Sequence, residues 1–144
     1  MKNLINLPKV LILKGLPASG KSTFAKRLLE TESNWKRVNK DDLRLMIDPN
    51  WSQDKEDFII KIRDQFILTA LGEGFNVVVD DTNFGKHEGH IRNLVRGMAD
   101  VEVTFFDVAL EECVKRDSER SNSVGTKVIQ DFYNKYPNQE PGNF

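Results

Sequence analysis

The chain has 144 residues, 39% of them hydrophobic and 30% charged, which describes one compact domain with a real core and excludes wholesale disorder. Its 21 basic and 22 acidic residues leave a net charge of −1, so no bulk positive field holds nucleic acid, and such a partner must be gripped locally by a few arginines. One cysteine and two histidines exclude an internal disulfide, and a zinc site without carboxylate help. No apolar run approaches the ~18 residues of a membrane span. With the single Cys113, this is the pattern expected of a cytoplasmic protein that makes no membrane contact.

In chain order, the opening MKNLINLPKVLILKG carries no small-residue cleavage site and reads as a buried strand over Lys9–Leu13 rather than a signal peptide. Thr23–Glu30 has helical spacing at Phe24, Leu28 and Leu29. Trp35–Asn39 is a short strand. Asp41–Ile47 is a helix, with Asn39 or Lys40 near its cap and Pro49 beyond its end. From Asp54 to Leu71, Phe58, Ile62 and Phe66 recur at four-residue spacing with Ile59 and Ala70 alongside, and Gly72 and Gly74 close this long helix.

Phe75–Val79 is a second buried strand, and Lys86–Met98 a helix weakened by Gly89 and Gly97. Val101–Val108 is a further strand, and Leu110–Arg120 a helix. A Ser/Asn/Gly loop follows over Ser121–Gly125, then a last helix over Lys127–Lys135 and an irregular tail over Pro137–Phe144. Strands alternating with helices predict a single α/β domain with a parallel sheet.

The turn after the first strand is Gly15-Leu16-Pro17-Ala18-Ser19-Gly20-Lys21-Ser22, which fits G-x-x-x-x-G-K-[ST] with a strand before it and a helix after it. The two specified glycines let successive backbone N–H groups face inward, and the positive end of the helix adds to their pull on an anion. ATP is expected on Gly15, Pro17, Ala18, Ser19, Gly20, Lys21, Ser22 and Thr23. Lys21 would reach the β- and γ-phosphates, and the Ser22 hydroxyl is a hard oxygen for Mg²⁺. The alternative is a plain strand-to-helix turn with a solvated lysine.

Asn39-Lys40-Asp41-Asp42-Leu43-Arg44 follows the second strand, where the carboxyl ends of a parallel sheet gather the ligand crevice. A carboxylate and an arginine three residues apart share one side of a helix. They suit an acceptor that carries both a hydroxyl and a phosphate. Helix capping by the two acidic residues is the competing reading.

Asp80-Asp81-Thr82-Asn83 ends the FNVVV strand. One aspartate there could hold a magnesium-bound water, with Thr82 and Asn83 binding the acceptor. A turn with Asx-type hydrogen bonds is the alternative. Arg116 and Arg120 face one way on their helix, Glu112 can pair with Arg116, and the flexible loop after them suggests a lid over about 116–126. An exposed charged helix is the alternative. His87 and His90 are expected on the surface, Cys113 as a small buried hydrophobe, and Trp35, Trp51 and the phenylalanines in the core.

GLPASGKST, NKDDLR, VVVDDTN, FDVALEECVKRDSER and VGTKVIQDFY, in this order over Lys9–Tyr136, resemble the 5′-hydroxyl polynucleotide kinase domain of phage and bacterial end-healing enzymes. The resemblance implies an adenylate-kinase-like P-loop kinase fold with a small mobile lid. It makes Lys21 and Ser22 ligands of the ATP phosphates and Mg²⁺, and Asp41 the general base on a DNA or RNA 5′-hydroxyl. Arg44 would hold the neighbouring phosphate, and Arg116 and Arg120 would act on the donor phosphates. Asp81, Thr82 and Asn83 would line the acceptor and metal region, Asp81 reaching the metal directly or through water.

Two positions depart from the family pattern: Ala18 stands where glycine is frequent, at an expected small cost, and Gly125 where proline is frequent. No phosphatase or ligase module is recognisable, so the expected product is a 5′-phosphate alone, with ligase or phosphatase activity left to a separate partner. The rival readings are a P-loop kinase acting on a nucleoside, sugar or antibiotic hydroxyl, and a nucleotide-dependent switch without an acceptor.

Overall fold

The computed structural model describes residues 6–50 and 52–136. The expected tail over 137–144 and the side chain of Trp51 lie outside the described residues. Four strands, β1 (Lys9–Lys14), β2 (Trp35–Val38), β3 (Asn76–Asp80) and β4 (Asp100–Phe105), form one sheet in the order β2-β3-β1-β4. Every pairing is parallel, with Val10 opposite Val77 on one side and Val101 on the other. The helices are α1 (Lys21–Thr31), α2 (Lys40–Ile47), α3 (Gln53–Gly72), α4 (His87–Leu94), α5 (Leu110–Ser118) and α6 (Thr126–Lys135).

The continuous apolar runs of β1 and β3 are what a sheet covered on both faces requires, because alternate side chains point to opposite layers. Val10, Ile12, Val77 and Val79 pack with Ile67, Ala70, Leu71, Ile91 and Val95 from α3 and the α4 region. Leu11, Leu13 and Val78 face the other way, onto Ala25 and Leu28 of α1, with Trp35 and Phe106 alongside. A third cluster of Leu16, Phe84, Cys113 and Ile129 sits beneath α5 and α6. Each fully buried Val, Leu or Ile contributes about 1.5–3 kcal/mol, so these layers hold β1 and β3 firmly where their ends carry function.

Three helix expectations shift. In α3 the buried residues are Ile59, Arg63, Ile67, Ala70 and Leu71, whereas Phe58 is half exposed. The burying face is one position over from the apolar stripe, because a charged residue, Arg63, is taken into it. In α1, Phe24 and Leu29 stay partly exposed while Ala25 meets the sheet. The expected Lys86–Met98 helix stops at Leu94, and Gly97 at φ 79° supports the turn that replaces its end. Among the described residues no helix is long and apolar enough to cross a membrane.

Candidate active site

The phosphate loop joins β1 to α1. The Gly15 N–H donates to the Thr82 carbonyl at 3.2 Å, which ties the loop to the end of β3. A Cβ on Gly15 would lie 2.7 Å from Ser19 Oγ, so only glycine fits there. Ala18 takes φ 66°, a left-handed conformation that costs an L-residue roughly 1–2 kcal/mol. The small cost expected of Ala18 is therefore an underestimate, and its methyl is tolerated under strain.

Lys21 folds back over its own loop, donating to the Gly15 and Leu16 carbonyls at 2.8 and 2.6 Å and to Ser19 Oγ at 3.3 Å. Burial lowers its pKa to about 8, against the opposing pull of Asp80 and Asp81. The ammonium rests on neutral loop acceptors, and phosphates would draw it outward because they are better partners than neutral carbonyls. As pH rises through about 8, the free chain loses this charge, and ATP affinity is expected to fall about tenfold by pH 9.5. Calorimetric titration at both ends of that range checks it. An affinity equal at pH 7 and pH 9.5 contradicts it, and Lys21→Ala is expected to abolish the dependence.

The acidic pair of α2 separates into two tasks. Asn39 caps the helix, its side chain accepting from the Asp42 N–H at 2.8 Å. The Asp42 carboxylate accepts from Arg37 at 2.7 Å. Asp41 is open to solvent and holds the Nη1 end of Arg44. Arg44 is also gripped by Glu56 of α3, through Nε at 2.8 Å and Nη2 at 2.7 Å. Lys40 donates its backbone N–H to Asp81 at 2.8 Å and its ammonium to Glu56 at 3.5 Å.

At the end of β3, Asp80 accepts from Arg37 Nε at 2.8 Å. Its second oxygen, and Asp81 Oδ2, are buried without a hydrogen-bond partner. Burial raises the Asp81 pKa, although Lys40 and Arg63 oppose the rise.

One cavity of about 880 Å³ brings these pieces together. Its wall includes Pro17, Ala18, Gly20, Lys21, Ser22 and Thr23 from the loop, Asp41 and Arg44 from α2, Asp80, Asp81 and Thr82 from β3, and Arg116 and Arg120. Gly15 and Ser19, also expected on ATP, are not part of this wall: Gly15 bonds to Thr82, and Ser19 is buried with its N–H on the Leu16 carbonyl. Asn83 departs from its expected acceptor role. It is buried, takes φ 56° and donates its amide to the Leu13, Val79 and Asp81 carbonyls. It knits the ends of β1 and β3 together instead of lining the cavity.

The chain matches the family model described as an AAA domain over residues 10–138. It belongs to that family. It is similar to an L-seryl-tRNA(Sec) kinase of Methanococcus maripaludis, at 30% identity over 88% of this chain and 52% of that protein. It is also similar to a putative bifunctional polynucleotide kinase/RNA ligase of Autographa californica nuclear polyhedrosis virus, at 29% identity over 92% of this chain and 22% of that protein. A solved chain of the Pnkp1/Rnl/Hen1 RNA repair complex superposes with a TM-score of 0.83 at 35% identity, covering 94% of this chain and 46% of that one. The chain thus spans about half or less of the length of these relatives. The resemblance carried by the five motifs is borne out, and the fold is that of a P-loop kinase.

In this AAA-family domain the segment over 117–125, expected as part of a lid, is organised by Asp117, which no motif marks. Its buried carboxylate accepts from Ser123 Oγ at 2.6 Å, the Val124 and Gly125 N–H groups at 3.0 and 2.9 Å, and Arg120 Nε at 2.9 Å. Burial alone would raise its pKa, but these donors outweigh it and bring it to about 2. Gly125 sits at φ 96° and donates its N–H. Proline, frequent here in the resembling family, could satisfy neither condition. Arg116 bonds to Glu112 at 3.0 Å, as the spacing predicts, and its Nη1 lies 3.5 Å from the Ser19 carbonyl, already over the phosphate loop.

Further polar residues lie in and around the cavity wall. His87, expected on the surface, is half-buried in the cavity wall. Burial, with Lys40 and Arg63 nearby, lowers its pKa to about 4, so it is neutral at physiological pH. Glu88 is buried on Lys14 at 3.3 Å, and His90 is exposed on Asp64 at 2.7 Å. Arg63 is wholly buried, with Nη1 3.8 Å from Asp81. A charge inside the 59–63–67 stripe was the one signal available for it. Glu56 gave none.

Proposed function

We propose that this domain transfers the γ-phosphate of ATP to the 5′-hydroxyl end of DNA or RNA, in a cytoplasmic end-healing step. The observation that carries the reading is the Asp41–Arg44 pair facing the phosphate loop in one cavity. Similarity to a viral polynucleotide kinase/RNA ligase and to a chain of an RNA repair complex supports it. The viral name joins a polynucleotide kinase to an RNA ligase, and the solved chain belongs to an RNA repair complex, so a ligase or phosphatase partner on a separate chain fits the same reading.

In the transfer, Asp41 takes the proton from the 5′-hydroxyl as its oxygen forms the new bond to the γ-phosphorus. The bond from that phosphorus to the bridging oxygen breaks, and ADP leaves with the electron pair. The loop N–H groups, Lys21, Arg116 and Arg120 stabilise charge on the transferring group. Arg44 holds the phosphate that follows the terminal nucleoside.

Ser22, Asp80 and Asp81 fit a magnesium ion. Two hard carboxylate oxygens, Asp80 Oδ1 and Asp81 Oδ2, are buried without a hydrogen-bond partner, Asp81 Oδ2 having only Arg63 Nη1 at 3.8 Å, and all three residues line the cavity. Such an ion would neutralise phosphate charge. Among the described residues no three His, Cys, Asp or Glu side chains cluster to hold a metal alone.

The L-seryl-tRNA(Sec) kinase relative favours a second reading, in which the acceptor hydroxyl belongs to a small group carried on RNA. Arg44→Ala separates the polynucleotide reading from a kinase whose acceptor carries no neighbouring phosphate. On a 5′-hydroxyl oligonucleotide, loss of this charge-assisted grip is expected to lower kcat/KM by about tenfold or more. On a nucleoside with no adjacent phosphate it is expected to change little. Equal losses on both acceptors would count against the polynucleotide reading.

A further inference from the structure

Glu56 belongs to no motif of the phosphate loop or of the acceptor pair, yet it determines where Arg44 points. It projects from α3 into the cavity wall. There it takes the Nε and Nη2 donors of Arg44 at 2.8 and 2.7 Å, a two-point hold on one edge of the guanidinium. Its side chain is 13% exposed, whereas that of Asp41, which holds the Nη1 end, is 70% exposed.

These two contacts differ in strength. A planar, two-point, sheltered arginine–carboxylate pair is geometrically specific and hard to displace. A single-point pair open to water contributes little and exchanges readily. Guanidinium carries five N–H donors. With Nε and one Nη2 hydrogen on Glu56, the Nη1 side remains for a ligand, and Asp41 is what stands there now. Glu56 also approaches the Lys40 ammonium at 3.5 Å. Lys40 in turn donates its backbone N–H to Asp81, so one carboxylate fixes both cations of α2 along the cavity.

We propose that Glu56 is the positioning residue of the acceptor clamp: it fixes Arg44 by the Nε–Nη2 edge, so that an acceptor phosphate takes over the Nη1 side and frees Asp41 to receive the hydroxyl proton. The exchange makes and breaks only hydrogen bonds. Acceptor phosphate replaces Asp41 on Arg44, and Asp41 turns to the 5′-hydroxyl. The inference rests on the polynucleotide reading above and goes beyond it by naming what orients the arginine and what the substrate displaces.

The test is steady-state kinetics of Glu56→Ala and Glu56→Gln on a 5′-hydroxyl oligonucleotide and on a nucleoside without a neighbouring phosphate. Misplacing a positioned group by about 1 Å can cost up to 10²-fold. Glu56→Ala is therefore expected to raise the oligonucleotide KM about ten- to a hundredfold. The KM for ATP and turnover of the nucleoside are expected to stay near wild type. Glu56→Gln keeps the side-chain volume and one accepting oxygen and is expected to fall between. In an Arg44→Ala background, Glu56→Ala is expected to add little, because both remove one interaction.

An unchanged oligonucleotide KM in either variant overturns the inference. So does an equal loss on both acceptors, or full additivity with Arg44→Ala. If the alanine variant does not fold, the glutamine variant is read by the same criteria. A wild-type chain that phosphorylates no 5′-hydroxyl oligonucleotide overturns the functional reading and this inference together. An active wild type with an indifferent Glu56 overturns this inference alone.

Discussion

Replacing Arg116 and Arg120 together with alanine is expected to lower kcat by about 10³–10⁵, the range for an arginine that stabilises charge on a transferring phosphoryl group. That corresponds to roughly 4–7 kcal/mol of transition-state stabilisation. Both side chains line the cavity, and Arg116 already reaches to 3.5 Å from the Ser19 carbonyl of the phosphate loop. Ground-state ATP binding is expected to change far less, because the loop N–H groups and Lys21 remain. Arg120→Lys supplies a control, since it keeps a charge near Asp117 but loses the planar fork. Single-turnover measurement separates the chemical step from ATP binding. A double variant slowed by less than about tenfold would show that the two arginines are only part of a charged surface helix.

Asp41→Ala is expected to lower kcat by about 10²–10⁴, the usual contribution of a general base. Its fold cost is expected to be small. The side chain is 70% exposed and its partner Arg44 keeps both contacts to Glu56, and exposed ion pairs contribute about 0–1 kcal/mol. ATP affinity should be unchanged, because Asp41 lies on α2 and not on the loop. Asp41→Asn preserves size and should be equally slow. A loss of activity that followed the melting temperature, or full turnover by Asp41→Asn, would remove the base from the mechanism.

What the sequence revealed and what it hid have physical causes. KVLIL and FNVVV announce buried parallel strands because both of their faces need apolar side chains, and the phosphate loop announces itself through glycines that a tight anion cradle demands. Asp41 and Arg44 were legible because helical spacing places them together. Hidden were the groups whose role depends on partners far along the chain. Glu56 meets Arg44 and Lys40 only after α3 packs on α2, and Asp117 becomes a hub only when the 123–125 turn closes on it. Arg63 enters the α3 core face with Asp64 accepting from its Nε and Nη2 and Asp81 3.8 Å from its Nη1, an arrangement that no apolar periodicity encodes. Asn83 carries the residue type of an acceptor ligand, yet its buried position and left-handed backbone commit it to the strand ends. Lys21 matches its motif, but only the folded loop shows it turned back onto the Gly15 and Leu16 carbonyls.

The most direct measurement follows label from the γ-position of ATP. The chain is incubated with labelled ATP and, in parallel, with a 5′-hydroxyl oligonucleotide, the same oligonucleotide already 5′-phosphorylated, and seryl-tRNA. The account predicts label on the first acceptor alone, located at its 5′-terminal phosphate after digestion. Label on seryl-tRNA with none on the oligonucleotide, or ATP hydrolysed with no labelled acceptor, would contradict it.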